Sequence, residues 1–153
     1  MSNLTVIDSF TGDNAFLNNF YPNPVAYEDG WHPTNEHAFQ AAKTDDPAQR
    51  AWVGEAKTPG EAKRRGRQVT LIPHWDTYWR YWTMENLIAV KFAPGTEMAE
   101  KLLDTGDAVL IEGNTWHDQV WGDCRCGRAA CKPPGMNLLG YMLMRRRDAL
   151  REG

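Results

Sequence analysis

The sequence predicts a helix-rich α+β fold, one domain over residues 1–153 with a small β-sheet or hairpin. Three observations carry that expectation. The 153 residues suit one domain and are too few for two ordinary ones. From Thr34 onward, Pro, Thr and Asp cut the chain into helix-length pieces, each with a start signal. Short β-branched and apolar runs stand apart from these helices at 4–10, 24–32 and 108–112.

Leu4-Thr-Val-Ile-Asp-Ser-Phe10 reads as a strand, and Phe16-Leu-Asn-Asn-Phe-Tyr-Pro22 as an ordered aromatic loop. Asp29-Gly30 between two apolar runs signals a hairpin over 24–32. Thr34 is the expected N-cap of a helix over 34–44. Asp45-Asp46-Pro47 ends it and starts a helix over 47–56. Thr58-Pro59 opens a third over 59–68, with Pro in the first position. A long helix is expected over 75–92, stopped by Pro94-Gly95, and Thr96 caps another to about 104. Residues 108–112 read as a strand, 113–136 as a Gly-, Pro- and Cys-rich loop, and 137–151 as a final helix. Its apolar side holds Leu138, Leu139, Met142, Leu143 and Leu150.

Composition excludes some classes. With 42% hydrophobic and 24% charged residues, the chain is globular and not disordered throughout. No apolar run approaches the roughly 20 residues of a membrane span. No secretory signal is visible and three Cys cannot all pair within the chain, so a reduced, cytoplasmic protein is expected. A net charge of −3 argues against non-specific nucleic-acid coating. Locally, however, residues 50–67 hold six basic and two acidic residues. That face would steer a phosphorylated ligand or nucleic acid, or be a solvated surface. The Arg145-Arg146-Arg147 run is weighted toward solvation.

Seven Trp are unusual for this length. Trp75, Trp79 and Trp82 recur at i, i+4 and i+7, a spacing that usually marks core. Trp79, Trp82 and Trp52 are expected inside. Trp75 could instead stack on a base.

Glu36, Gln40 and Lys43 share one helix face. Over seven residues the axial rise is about 10 Å, so Glu36 and Lys43 meet only if Lys43 leans back over Gln40. Spacing alone reads as a solvated stripe with a weak ion pair. His37 points a quarter turn away and reads as a half-buried polar residue at the helix start.

The run Phe16-Leu-Asn-Asn-Phe-Tyr-Pro22, then Pro33-Thr-Asn-Glu-His-Ala-Phe-Gln-Ala-Ala-Lys43, changes this balance. It resembles the opening of the NADAR, or YbiA-like, N-glycosidase family. The resemblance continues through Met84 to Lys91-Phe92, through Trp121-Gly122-Asp123, and through Asn137-Leu138-Leu139-Gly140. One departure is Asn18 where the family usually has Ser. The resemblance implies hydrolysis of an N-glycosidic bond to ribose. The implied substrates are phosphoribosylamino-pyrimidine intermediates of riboflavin synthesis, or guanine bases carrying ADP-ribose, including those in DNA. It implies no cofactor and no metal, and the short apolar runs predict no membrane partner. It implies catalytic roles for Glu36, Lys43 and Asp123, and substrate contacts from Asn19, Phe20, Gln40, Trp75, Trp121 and Asn137.

These residue types suit the reaction. Breaking a ribosyl C–N bond builds positive charge at the anomeric carbon, which a carboxylate stabilises while another group protonates the base. Water would attack directly, or Lys43 would trap the sugar as a Schiff base; the family pattern that the chain resembles, with a lysine on the same helix face as the acid, favours the second. Where many members have a Gly-rich stretch, this chain has Cys124-Arg-Cys126-Gly-Arg-Ala-Ala-Cys131. Arg125 and Arg128 are candidate phosphate binders, or an exposed basic loop. Three Cys with His117 could hold zinc, but Cys-x-Cys-x4-Cys is not a common zinc-knuckle spacing, so free thiols are expected. Two other functions compete with the enzyme: a non-catalytic ADP-ribose or nucleotide binder, and a nucleic-acid module using the 50–67 face.

Overall fold

The computed structural model describes residues 3–28 and 30–153, as two compact units. One unit is Asn19–Lys91; the other joins Met1–Asn18 to Phe92–Gly153.

In the 19–91 unit, β1 (Val25–Tyr27) and β2 (Gly30–His32) form an antiparallel hairpin with Val25 opposite His32. Asp29, half of the expected turn signal, lies outside the described residues. Helices follow at α1 (Asn35–Ala41), α2 (Pro47–Gly54), α3 (Pro59–Gly66) and α4 (Arg80–Lys91). Their starts fall where the sequence places them. Thr34, Asp46 and Thr58 each accept a backbone N–H from three residues on, satisfying a donor the helix cannot. α1 is the centre: it packs against α2, α3, α4 and both hairpin strands. Ala41, Val53, Ala56, Ala62 and Val69 form an apolar cluster on its α2–α3 side.

The long helix expected over 75–92 divides in two. Trp75–Trp79 is a π-helical turn, in which the Trp79 N–H reaches the His74 carbonyl at 3.1 Å, five residues back. The wide turn breaks the i, i+4, i+7 pattern, so one face no longer carries all three Trp. Trp75 is 3% exposed, while Trp79 is 38% and Trp82 46% exposed. The expected core placement of Trp79 and Trp82 is therefore corrected. Trp79 packs edge-on against Tyr78 and Trp82 at centroid distances of 4.9 and 5.6 Å, forming a surface aromatic row. Trp52 is also exposed, 5.1 Å beneath the Arg65 guanidinium.

In the other unit, β3 (Val6–Ile7) pairs in parallel with β4 (Val109–Leu110). β5 (Gly113–Asn114) pairs in parallel with β6 (Asp123–Cys124), inside the segment expected to be loop. The predicted strands at 4–10 and 108–112 shrink to two residues each. Phe16 and Leu17, expected in a loop, end a 3-10 helix, Gly12–Leu17. Two helices complete this unit: α5 (Glu97–Asp104), capped by Thr96, and α6 (Leu138–Glu152), which packs on α5 and β4. Leu102, Leu110, Leu139 and Leu143 are fully buried. Arg147, expected to be solvated, is buried too. It donates to the Thr105 hydroxyl at 2.7 Å and the Ala108 carbonyl at 2.9 Å, holding the turn after α5.

Lys91, at the end of α4, is buried with its ammonium 5.6 Å over the Tyr21 ring. Burial pushes its pKa from 10.5 down to about 7. In the unfolded chain the amine stays protonated up to about 10.5, so unfolding between these values takes up a proton and stability rises with pH. Below about 7 the desolvation cost is complete. Lys91→Met removes it: its urea midpoint will exceed that of the parent at about pH 6, and the gap will narrow by about pH 9. A gap independent of pH would contradict this.

Candidate functional site

Each unit holds part of the predicted residue set. Asn19, Phe20, Glu36, Gln40, Lys43 and Trp75 fall in one; Trp121, Asp123, Arg125, Arg128 and Asn137 fall in the other.

In the 19–91 unit the acid–amide stripe is not solvated. Glu36 is 7% and Gln40 3% exposed. The reason is Gly66. A β-carbon there would stand 2.0 Å from Gln40 Oε1, so only glycine lets α3 close over this part of α1. Beneath it, Gln40 Nε2 donates to Glu36 Oε1 at 2.7 Å, fixing the carboxylate's rotamer. Gln40 Oε1 faces Gly66 and has no hydrogen-bond donor. The Glu36 backbone N–H donates to the Asn19 carbonyl at 3.1 Å, and Asn19 Nδ2 reaches Met84 Sδ at 3.3 Å. The aromatic loop and the α1 start are thus joined at the acid.

His37, expected half-buried, is 1% exposed and wholly structural. Its Nε2 lies 2.9 Å from the Ala56 carbonyl and so carries the proton. Nδ1 accepts from the Thr34 hydroxyl at 2.8 Å, whose oxygen in turn takes the His37 backbone N–H.

Lys43 lies beyond the helix, which ends at Ala41. The chain tightens there, with the Lys43 N–H on the Gln40 carbonyl at 3.3 Å, and the Lys43 carbonyl accepts from Ile72 N. Burial lowers the Lys43 pKa; the Glu36 and Asp76 carboxylates oppose the shift, and Arg67 and Lys63 add to it. A partly desolvated amine in the field of a buried carboxylate is more often neutral, and so more nucleophilic, than a surface lysine. Trp75 packs on Phe39 at 5.2 Å and is buried. It therefore offers little face for stacking, whereas Phe20 is 39% exposed. Lys91 is the residue to which sequence reasoning gave no role. Its signal was burial, which spacing does not show.

The other unit holds the remaining motifs in a tight web. Val120, Trp121 and Gly122 turn their carbonyls to the N–H groups of Leu138, Leu139 and Asn137 at 3.0–3.1 Å, capping α6. Asn137 is left-handed at φ 51° and buried. Its amide donates to the Leu110 carbonyl at 2.9 Å and accepts Glu112 N–H at 3.0 Å, so its polar atoms serve the fold. Asp123 accepts the Gly135 N–H at 2.9 Å and has Arg125 Nε at 3.7 Å. Arg125 also binds Asp8 at 2.6 Å, so two carboxylates already hold the expected phosphate binder. The Arg128 side chain is exposed. His117, Cys124, Cys126 and Cys131 converge, with their ligand atoms all within 4.8 Å of one another.

The 50–67 face is partly neutralised. Arg50 pairs with Glu28, and Arg65 with Glu61 at 2.6 Å.

The NADAR domain profile matches residues 9–151. N-glycosidase YbiA of Escherichia coli (strain K12) is 33% identical over 144 residues, covering 93% of this chain and 85% of that protein. Riboflavin biosynthesis protein VVA0006 of Vibrio vulnificus (strain YJ016) is 34% identical over 141 residues, covering 92% of this chain and 36% of that protein. The NMR structure of E. coli YbiA superposes with a TM-score of 0.80 at 29% identity, covering 99% of this chain and 88% of that one.

Gly66→Ala will displace Gln40 and release the Glu36 carboxylate. Activity on an N-ribosyl substrate is expected to fall on the order of 10-fold or more, as misplacement of catalytic groups costs. The thermal midpoint should fall too, because the added carbon meets Gln40 Cδ at 2.8 Å and Cβ at 3.0 Å as well as the end of the side chain, so rates are compared at a temperature where the variant is folded. Unchanged kcat/KM would show that the Gln40 contact does not position the acid.

Proposed function

The chain belongs to the NADAR domain family, and we propose that it is an N-glycosidase in which Glu36 and Lys43 act on a ribosyl C–N bond. The observation that carries this is the buried Glu36 carboxylate, locked by Gln40, beside a lysine whose pKa burial lowers. A binding module has no need of that pair, and burying the Glu36 carboxylate costs stability. Relatives named N-glycosidase and riboflavin biosynthesis protein support a nucleotide-like substrate, and a phosphoribosylamino-pyrimidine first. ADP-ribosyl guanine, free or in DNA, is the second arm of the test.

The neutral Lys43 amine attacks C1′ as the bond from C1′ to the base nitrogen breaks, and the proton that the now positively charged Nζ gives up leaves with the base. The C1′–O4′ bond then opens, O4′ takes a proton from solvent, and the product is an imine protonated on nitrogen, whose charge Glu36 stabilises. Water adds to C1′, releasing the sugar and restoring the amine. The family resemblance assigns Asp123 a share of the proton transfer. Neutral Phe20, 39% exposed, is the proposed face for the base.

Two measurements test this. Borohydride with substrate should trap a covalent adduct, located by mass spectrometry on the Lys43 peptide. An adduct on Lys91, or turnover with none, would overturn the Lys43 assignment. Glu36→Gln, Lys43→Met and Asp123→Asn should each lower kcat on the order of 10²- to 10⁴-fold. The rate should fall on the acid side as Lys43 protonates, with that limb's midpoint below the ordinary lysine value of 10.5. No released base from either substrate class would leave the non-catalytic binder ahead.

A further inference from the structure

We propose that His117, Cys124, Cys126 and Cys131 bind one structural zinc ion. This rests on geometry independent of the N-glycosidase reading. His117 Nδ1 lies 3.3 Å from Cys131 Sγ, 3.6 Å from Cys126 Sγ and 3.8 Å from Cys124 Sγ. A tetrahedron with Zn–S of about 2.3 Å and Zn–N of about 2.05 Å sets N to S separations of about 3.5 Å. The three distances bracket that value. All four ligand atoms lie within 4.8 Å of one another, as one centre requires.

The ligands are placed by the backbone and its neighbours. Pairing of β5 with β6 puts Cys124 opposite Asn114. The buried Asn114 amide clasps Asp118 from both sides, accepting its N–H at 3.1 Å and donating to its carbonyl at 2.8 Å. This pins His117 in a left-handed backbone, φ 70°, an arrangement histidine adopts at a cost. Gln119 ties the ends of the ligand segment together: Oε1 takes the Cys124 N–H at 2.6 Å, and Nε2 donates to the Cys131 carbonyl at 3.2 Å. Arg128 N–H points at Cys126 Sγ at 3.4 Å, the hydrogen bond that a metal-bound thiolate accepts.

Three thiolates and an imidazole are soft donors in a tetrahedral set, which selects zinc over magnesium or calcium. Four protein ligands leave no open coordination position, so the ion is structural, not a Lewis acid for catalysis. The clasped segment contains Val120, Trp121 and Gly122, whose carbonyls cap α6, and then Asp123, so the metal would stiffen both Asp123 and the α6 start.

The full chain, purified without chelator and desalted, should carry one zinc per chain by elemental mass spectrometry. Chelator treatment should lower its thermal midpoint by at least about 10 °C, and added zinc should restore it. Cys126→Ser and His117→Ala should lose the retained zinc. Where a variant does not fold, cobalt(II) added to the stripped parent decides: intense visible absorption with a thiolate charge-transfer band is expected for a tetrahedral sulfur site. Stripped, reduced protein that takes up neither zinc nor cobalt would overturn the site. So would zinc retention unchanged in both variants, or a disulfide among these cysteines in protein isolated with no metal.

Discussion

Every residue from Thr34 to Ala42 is buried, among them a carboxylate, an imidazole and two amides. A helix with polar residues inside must supply each with a partner, because an unpaired buried polar group costs on the order of 1–3 kcal/mol. The 19–91 unit meets most of that demand, leaving Asn35 Oδ1 and Gln40 Oε1 without a hydrogen bond. Thr34 and the Ala56 carbonyl take up both nitrogens of His37, Gln40 takes a Glu36 oxygen, and Asn35 reaches the Leu87 carbonyl at 3.4 Å. Stability does not require this. Apolar side chains of similar volume would pack as well without the desolvation cost. The arrangement makes sense where a desolvated acid and amine are needed for chemistry.

The other unit solves a different problem with the same means. α6 begins on a left-handed asparagine whose side chain makes no cap bond. Its first N–H groups are satisfied by carbonyls of the 120–122 segment instead. Gly140 then lies so close to β4 that a β-carbon would stand 2.1 Å from the Leu110 carbonyl. The Trp-Gly-Asp and Asn-Leu-Leu-Gly motifs therefore read as two halves of one joint. Whatever Asp123 does for a substrate, its position is set by that joint.

The legible features are those with local causes. Helix starts follow from Thr34, Asp46, Thr58 and Thr96, since an N-cap needs only its own side chain and the N–H three residues on. The family was legible because its motifs occur in order along the chain. Illegible were Trp79 and Trp82, since a π-turn rotates the stripe without marking the residue types. Arg147 misled for a similar reason: an Arg run reads as solvated until carbonyls from another element come to meet it.

By itself, the sequence determined the α+β class, the order of the helices and the acid, amide and lysine that share one spacing. Each depends on neighbours within a few residues, or on type and order alone. Only the tertiary structure decided which of these side chains leave water. Gly66 folds over Gln40 from an element 26 residues on, and β5–β6 pairing with a 3-10 turn gathers His117 and three cysteines whose spacing follows no common metal motif. Burial and convergence are set by contacts between distant parts of the chain, and those contacts turn a polar stripe and an odd cysteine loop into candidate sites.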